Sequence, residues 1–167
     1  MSEYDYIDKS SGSDYYGEGV VGTGIGQRGP FVWKRTISLA TAGDLFTTTG
    51  YFAQNDIIDL FNVSEGMRIC GVVMEVTTAE AATCACTIGD ADDADGYLVA
   101  GDLNSATWQH GGITATYAAD YMDGTTYFGG KYYTAANIIK MTLTTDAEND
   151  TAVFDVYVFG FDMRPVT

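Results

Sequence analysis

VFDVYVFGFDM, residues 153–163, alternates its side chains with a period of two. Successive side chains of a strand point to opposite faces. Phe154, Val156, Val158 and Gly160 therefore share one face, and Val153, Asp155, Tyr157, Phe159 and Phe161 share the other. The first set reads as core. The second is aromatic, and leaving Tyr157, Phe159 and Phe161 in water is costly. A second sheet, a loop or another subunit is expected to cover it, which makes oligomerisation the natural expectation.

Working outward from this segment, the chain from Phe31 onward repeats the same texture. Apolar residues alternate or run in short blocks bounded by Gly, Asp, Asn and Thr, the signature of strands joined by turns. The segments are Phe31 to Ala40, Ile57 to Val63, Arg68 to Thr78, Thr83 to Gly89, Ile113 to Ala118, Thr126 to Tyr133, Ile138 to Thr144 and Val153 to Met163. In Arg68 to Thr78 the alternation merges into a continuous apolar block. That pattern predicts a central strand with a register shift near Gly71. No window shows sustained 3.6-residue periodicity, and the best helical candidates are short, near Tyr51 to Asp56 and Tyr97 to Ala106. The fold class expected is all-β: a two-sheet antiparallel sandwich with jelly-roll topology and an extended N-terminal arm.

Composition agrees and narrows function. The 167 residues carry 20 glycines, 2 prolines and 12 tyrosines, a mixture that favours strands and tight turns. With 8 Lys+Arg against 23 Asp+Glu, the formal net charge is −15. A surface that binds by neutralising phosphates is excluded, so nucleic acid is not an expected partner. The first nineteen residues have neither the cationic nor the apolar region of a secretory signal and read as a cytosolic start. No apolar run approaches the ~20 residues that span a bilayer, so no membrane partner is expected.

Residues 1–30 differ from the body, 31–167. They hold Tyr4, Tyr6, Tyr15 and Tyr16, seven glycines and five acids, with almost no aliphatic periodicity. Such a segment cannot bury enough apolar surface to fold alone. It reads as an arm. Two readings stand side by side: an arm that orders by laying its tyrosines on a neighbouring surface, and a disordered solubilising tail.

Several motifs bear on chemistry. Cys84 and Cys86 share a strand face and are held too far apart for an ordinary disulfide, so with Cys70 they read as reduced thiols lining the core. Gly24-Ile25-Gly26-Gln27-Arg28-Gly29 matches a dinucleotide fingerprint by letter. The strand before it and the helix after it are missing, so no nucleotide cofactor is expected. Asp90, Asp92, Asp93 and Asp95, followed by Asp102, need solvent or a hard cation. Laid on a twelve-residue calcium loop, Asp93, Asp95, Gly96 and Asp102 fall in register, but Ala91 occupies the first ligand position. A solvated acidic turn is the expectation, with no metal assigned. His110, the only histidine, lies in a glycine-rich stretch with no partner pattern for a triad or dyad, so no catalytic residue is assigned. The aromatics Tyr117, Tyr121, Tyr127, Phe128, Tyr132 and Tyr133 read as core and interface.

The stretch from Asp56 to Leu98 resembles small structural proteins of tailed-phage virions, of the head decoration or cement type. The matching pieces are Ile57 to Val63, the Glu75-Val76-Thr77-Thr78-Ala79 strand end and the acidic turn from Gly89 to Leu98; the strands Ile138 to Thr144 and Val153 to Phe161 fit the same layout. The resemblance implies a jelly-roll or β-sandwich virion protein, a homotrimer on the capsid surface, assembled in the host cytoplasm. Its partners would be the major capsid protein and its own copies, with no cofactor, no small-molecule substrate and no catalysis. Under it, Tyr4, Tyr6, Tyr15 and Tyr16 would anchor the arm on a partner, with Phe31 and Trp33 fixing its root. Two rivals fit the same residues: a receptor- or carbohydrate-binding fibre or tail module, and a tail-tube or neck component.

Overall fold

The computed structural model describes residues 3–5, 30–47, 50–111, 121, 130–145 and 149–163. Two five-stranded sheets face each other. The first contains β1 (Glu3–Asp5), β3 (Ile57–Val63), β9 (Asn137–Leu143), β5 (Ala85–Gly89) and β6 (Leu98–Asp102), in that order. The second runs β2 (Pro30–Ser38), β10 (Val153–Asp162), β4 (Met67–Thr78), β7 (Trp108–His110). The two-residue β8 (Lys131–Tyr132) also pairs with β4, at Arg68 and Ile69, leaving Val73 to Glu75 for β7. Every pairing is antiparallel except β1 with β3.

With β1 and β8 set aside, eight strands remain, and they pair as nested partners. The first lies beside the last (β2 with β10), the second beside the seventh (β3 with β9), the third beside the sixth (β4 with β7) and the fourth beside the fifth (β5 with β6). This is one long antiparallel ribbon rolled over on itself, the jelly-roll topology. Between the sheets lies a continuous core that includes Ile37, Ile58, Leu60, Ile69, Met74, Cys86, Ile88, Met141, Phe154 and Val156. The alternation in β10 is as expected: Phe154, Val156, Val158 and Gly160 are buried, and Phe159 and Phe161 are exposed. A Cβ on Gly160 would stand 2.3 Å from the Arg68 carbonyl oxygen and 2.6 Å from the Phe31 ring, so nothing larger fits there.

β4 is interior to its sheet. Its pairing with β10 slips between Phe159 and Gly160, which stand opposite Gly71 and Ile69, so Cys70 is the extra residue of a bulge. The register shift expected near Gly71 is there.

Other segments differ from expectation. Among the described residues the one α-helix, α1, is Leu39–Phe46, where the sequence reads as a strand end and a loop. Ser38 caps it by accepting from the Thr41 N–H, and Leu39 donates its backbone N–H to Ala152. Leu39 and Ala42 then bury against the core, and this tertiary burial outweighs the strand propensity of the preceding residues. Residues 97–106, a helical candidate, instead form β6 and its turn, because Leu98 and Gly101 pair with Ile88 and Cys86. Residues 51–56 form a turn with one bridge, Phe52 to Asn149. Trp108 to His110, read as loop, is β7. The expected strand Ile113 to Ala118 lies outside the described residues, and of Thr126 to Tyr133 only Gly130 onward lies within them.

Candidate interaction surface

The outer face of the β2-β10-β4-β7 sheet carries the features that call for a partner. Cross-strand register sorts it into rows: Pro30, Phe161, Arg68 and Tyr132; then Val32, Phe159 and Gly71; then Lys34, Tyr157, Val73 and His110; then Thr36, Asp155, Glu75 and Trp108. The exposed large hydrophobic residues are Val32, Trp108, Tyr132, Phe159, Phe161 and Met163. Among the described residues all of them lie on this sheet or directly after its last strand. The first two rows form its apolar end.

The other two rows are polar and knitted together. Lys34 Nζ lies 2.8 Å from Asp155 Oδ2, and the Thr36 hydroxyl donates to Asp155 Oδ1. Burial opposes the charge on Asp155, but the bonds from Lys34 and Thr36 outweigh it and hold the carboxyl below the usual range. The Trp108 ring stacks on Tyr157 at 5.5 Å, and the Tyr157 hydroxyl reaches Glu75 at 3.4 Å. Taken together, the four rows contain two bases, Lys34 and Arg68, and two acids, Glu75 and Asp155. On a chain of net charge −15, this face is electrically balanced.

The position of Tyr132 on this face is fixed from inside. Its neighbours Lys131 and Tyr133 point the other way, into the acidic turn after β5. Lys131 Nζ lies 2.7 Å from both Asp90 Oδ2 and Asp92 Oδ2. The Tyr133 hydroxyl donates to Asp90 Oδ2 at 2.5 Å, and the Tyr121 hydroxyl donates to Oδ1 at 2.9 Å. The backbone N–H groups of Asp92 and Asp93 also donate to Oδ1. Tyr97 completes the cluster, its hydroxyl 2.7 Å from that of Tyr133 and its ring edge-on to Tyr121 at 4.9 Å. Burial opposes the charge on Asp90, yet the bonds from Lys131, Tyr133, Tyr121 and the Asp92 N–H hold the carboxyl below the usual carboxylate range. The same burial, with Asp90 as acceptor, pushes both tyrosine hydroxyls upward.

The Lys131 ammonium therefore stands against the Asp90 and Asp92 carboxylates, where a hard cation would otherwise offset their charge. Among the described residues no group of three or more His, Cys, Asp and Glu side chains is arranged to hold a metal ion. Gly130 makes the entry to β8 with φ of +97°, and a Cβ there would lie 2.0 Å from the Ile69 carbonyl oxygen. Only glycine satisfies both conditions.

Of the anchors expected on the arm, Tyr4 belongs to β1, where its backbone pairs with Ile58; Tyr6, Tyr15 and Tyr16 lie outside the described residues. Phe31 and Trp33 face the core, stacked on each other at 4.3 Å, and Trp33 stacks on Phe61 at 5.9 Å. Their rings hold the first strand of the body in place. The sequence singles out neither Val32 nor Trp108 as a contact residue. The period-two pattern of FVWKRTIS puts Val32 on the face opposite Phe31 and Trp33, whereas Trp108 sits in a glycine-rich stretch with no strand pattern.

No family model and no curated protein matches the chain. Among solved structures, its fold is similar to that of a chain in the "acidic stable capsid structure of Helicobacter pylori bacteriophage KHP30". The TM-score is 0.53 at 12% identity, with 85% of this chain and 95% of that one covered. A chain in the "capsid of Ralstonia phage GP4" matches at a TM-score of 0.53 and 11% identity, over 80% of this chain and 84% of that one. At such identity the likeness is one of fold. The chain is thus a jelly-roll protein with one apolar, charge-balanced outer face, and its fold is one found among chains of phage capsids. Because the matches take in most of both partners, those capsid chains are similar in size to this one.

Proposed function

We propose that this chain is a capsid decoration or cement protein of a tailed phage. It docks the outer face of the β2-β10-β4-β7 sheet on the shell formed by the major capsid protein. The observation that carries this reading is the balanced, apolar character of that one face on an otherwise acidic molecule. An acidic protein pressed against a shell avoids repulsion by presenting its neutral side, and its remaining surface keeps a highly abundant protein soluble and off nucleic acid. The fold likeness to chains of similar size in two phage capsids supports a place on the head over one in the tail.

The mechanism is mass action: a partner that binds only the assembled shell stabilises it by the free energy of its own binding. No catalysis is required. The reading includes a homotrimer seated over junctions between shell subunits, assembled in the host cytoplasm, where the three thiols stay reduced.

The test is direct. Heads lacking the protein are mixed with purified wild type or with a Phe159→Asp/Phe161→Asp chain, pelleted, and the bound copies counted. Wild type saturates at a fixed number per head, and the double variant stays in the supernatant with its circular dichroism unchanged. A wild type that leaves the heads bare, or a double variant that binds equally well, overturns the proposal.

A further inference from the structure

The nested pairing of the eight body strands is complete without β1. Glu3, Tyr4 and Asp5 add to the sheet from outside, parallel to Ile57, Ile58 and Asp59 of β3. An edge strand presents unpaired N–H and C=O groups that accept any extended segment offering its own, wherever that segment comes from. The pairing is three residues long, and residues 6–29 separate it from β2. Joining ends that far apart in sequence for so short a ladder leaves little advantage to pairing within one chain.

We propose that the β3 edge is a strand-acceptance site whose occupant in the oligomer is the Glu3–Asp5 segment of a second copy. The intervening chain, fully extended, reaches about 80 Å, roughly twice the diameter of a domain of this size. Reach therefore does not confine the segment to its own body. A second copy offers the same backbone and the same register, so exchange loses no contact, which is what makes swapping of identical elements an easy route to oligomers. When copies stand side by side, the high effective concentration of neighbouring arms favours exchange over dissociation. The proposal requires only a second copy and stands whether or not the shell reading holds.

The test uses full-length chains carrying Cys70→Ser, which removes the half-buried thiol. Chains with Glu3→Cys are mixed with chains with Ile57→Cys, concentrated, and treated with a short bismaleimide. Cross-linked dimers of one chain of each kind are expected, and they should be lost when an excess of the Cys70→Ser chain with neither new cysteine is added before treatment. If mixed chains stay monomeric while the double Glu3→Cys/Ile57→Cys chain closes only on itself, the proposal is overturned. A Phe159→Asp/Phe161→Asp chain should still exchange strands, so failure on heads and failure of exchange are separate results.

Discussion

Lys131 Nζ lies 2.7 Å from Asp90 Oδ2, with the lysine side chain 7% exposed and the aspartate side chain fully shielded from solvent. This one cation, contributed by an edge strand of the second sheet, offsets the buried Asp90 carboxylate in the acidic turn of the first. Removing it leaves a buried carboxylate without its counter-charge. Lys131→Met is expected to cost about 3–5 kcal/mol, a fall in Tm on the order of 10 °C for a chain of this length. Adding Asp90→Asn to it should recover part of the loss. A Lys131→Met protein that melts like wild type would show that the turn is held by something else.

Acid should destabilise the fold through three carboxyls. Burial opposes the charge on Asp90, Glu80 and Asp155, but hydrogen bonds win at each. At Glu80 the donors are the backbone N–H groups of Ala152, Thr151 and Ala81. Their folded values lie below the unfolded ones, near 4. The stability they contribute is therefore present above about pH 5 and is lost as pH falls through the folded values. Asp93 runs the other way: burial first, and then Asp95, raise it, so its effect favours the fold as pH drops. In urea titrations from pH 7 to 2, Glu80→Gln should start with a lower midpoint and converge on wild type in acid. Parallel curves would contradict this.

The three thiols should separate by reactivity. Burial pushes Cys84 up to about 12, with Glu80 and Asp102 adding to it, and pushes fully buried Cys86 further up. Cys70 is raised by burial too, but Arg68 counters it and the bulge leaves it half exposed. Only the thiolate attacks. Maleimide at pH 8 should add one label to the native protein, at Cys70, and three after unfolding, read by mass. Rapid native labelling at Cys84 would place that residue outside the core.

Trp33 is buried and Trp108 is 56% exposed, and these are the only two tryptophans. In a Trp33→Phe chain the remaining emission should be red-shifted and readily quenched by acrylamide. Bound to heads, the same chain should emit further to the blue and resist quenching. An unchanged spectrum on bound protein would move the contact away from β7.

Much of the fold was legible because burial on one side of a sheet writes itself into alternate residues. Val153 to Phe161 shows both faces correctly, and the merged apolar block after Arg68 marks an interior strand whose bulge at Cys70 falls beside the glycine that hints at it. What was not legible depended on long-range partners. Leu39 to Phe46 becomes helix because Leu39 and Ala42 find the core; the local cue, Ser38 followed by apolar residues three apart, is weak. Lys131 shows no sign in the sequence that it answers Asp90, since forty residues separate them and only the pairing of β8 with β4 brings them together. The acidic turn therefore reads as a place for solvent or metal when its counter-charge lies elsewhere in the chain.

In the second sheet Pro30 stands opposite Phe161, so β2 starts at the corner where β10 finishes. That corner is also the apolar end of the outer face. A peptide inserted just after Asp162 would emerge beside Phe159 and Phe161 and crowd whatever they touch. The exposed Ala81 and Ala82, past the opposite end of β4, offer an insertion point that projects away from it. For carrying a foreign sequence, the permissive place is that loop, and the end of β10 is the wrong one.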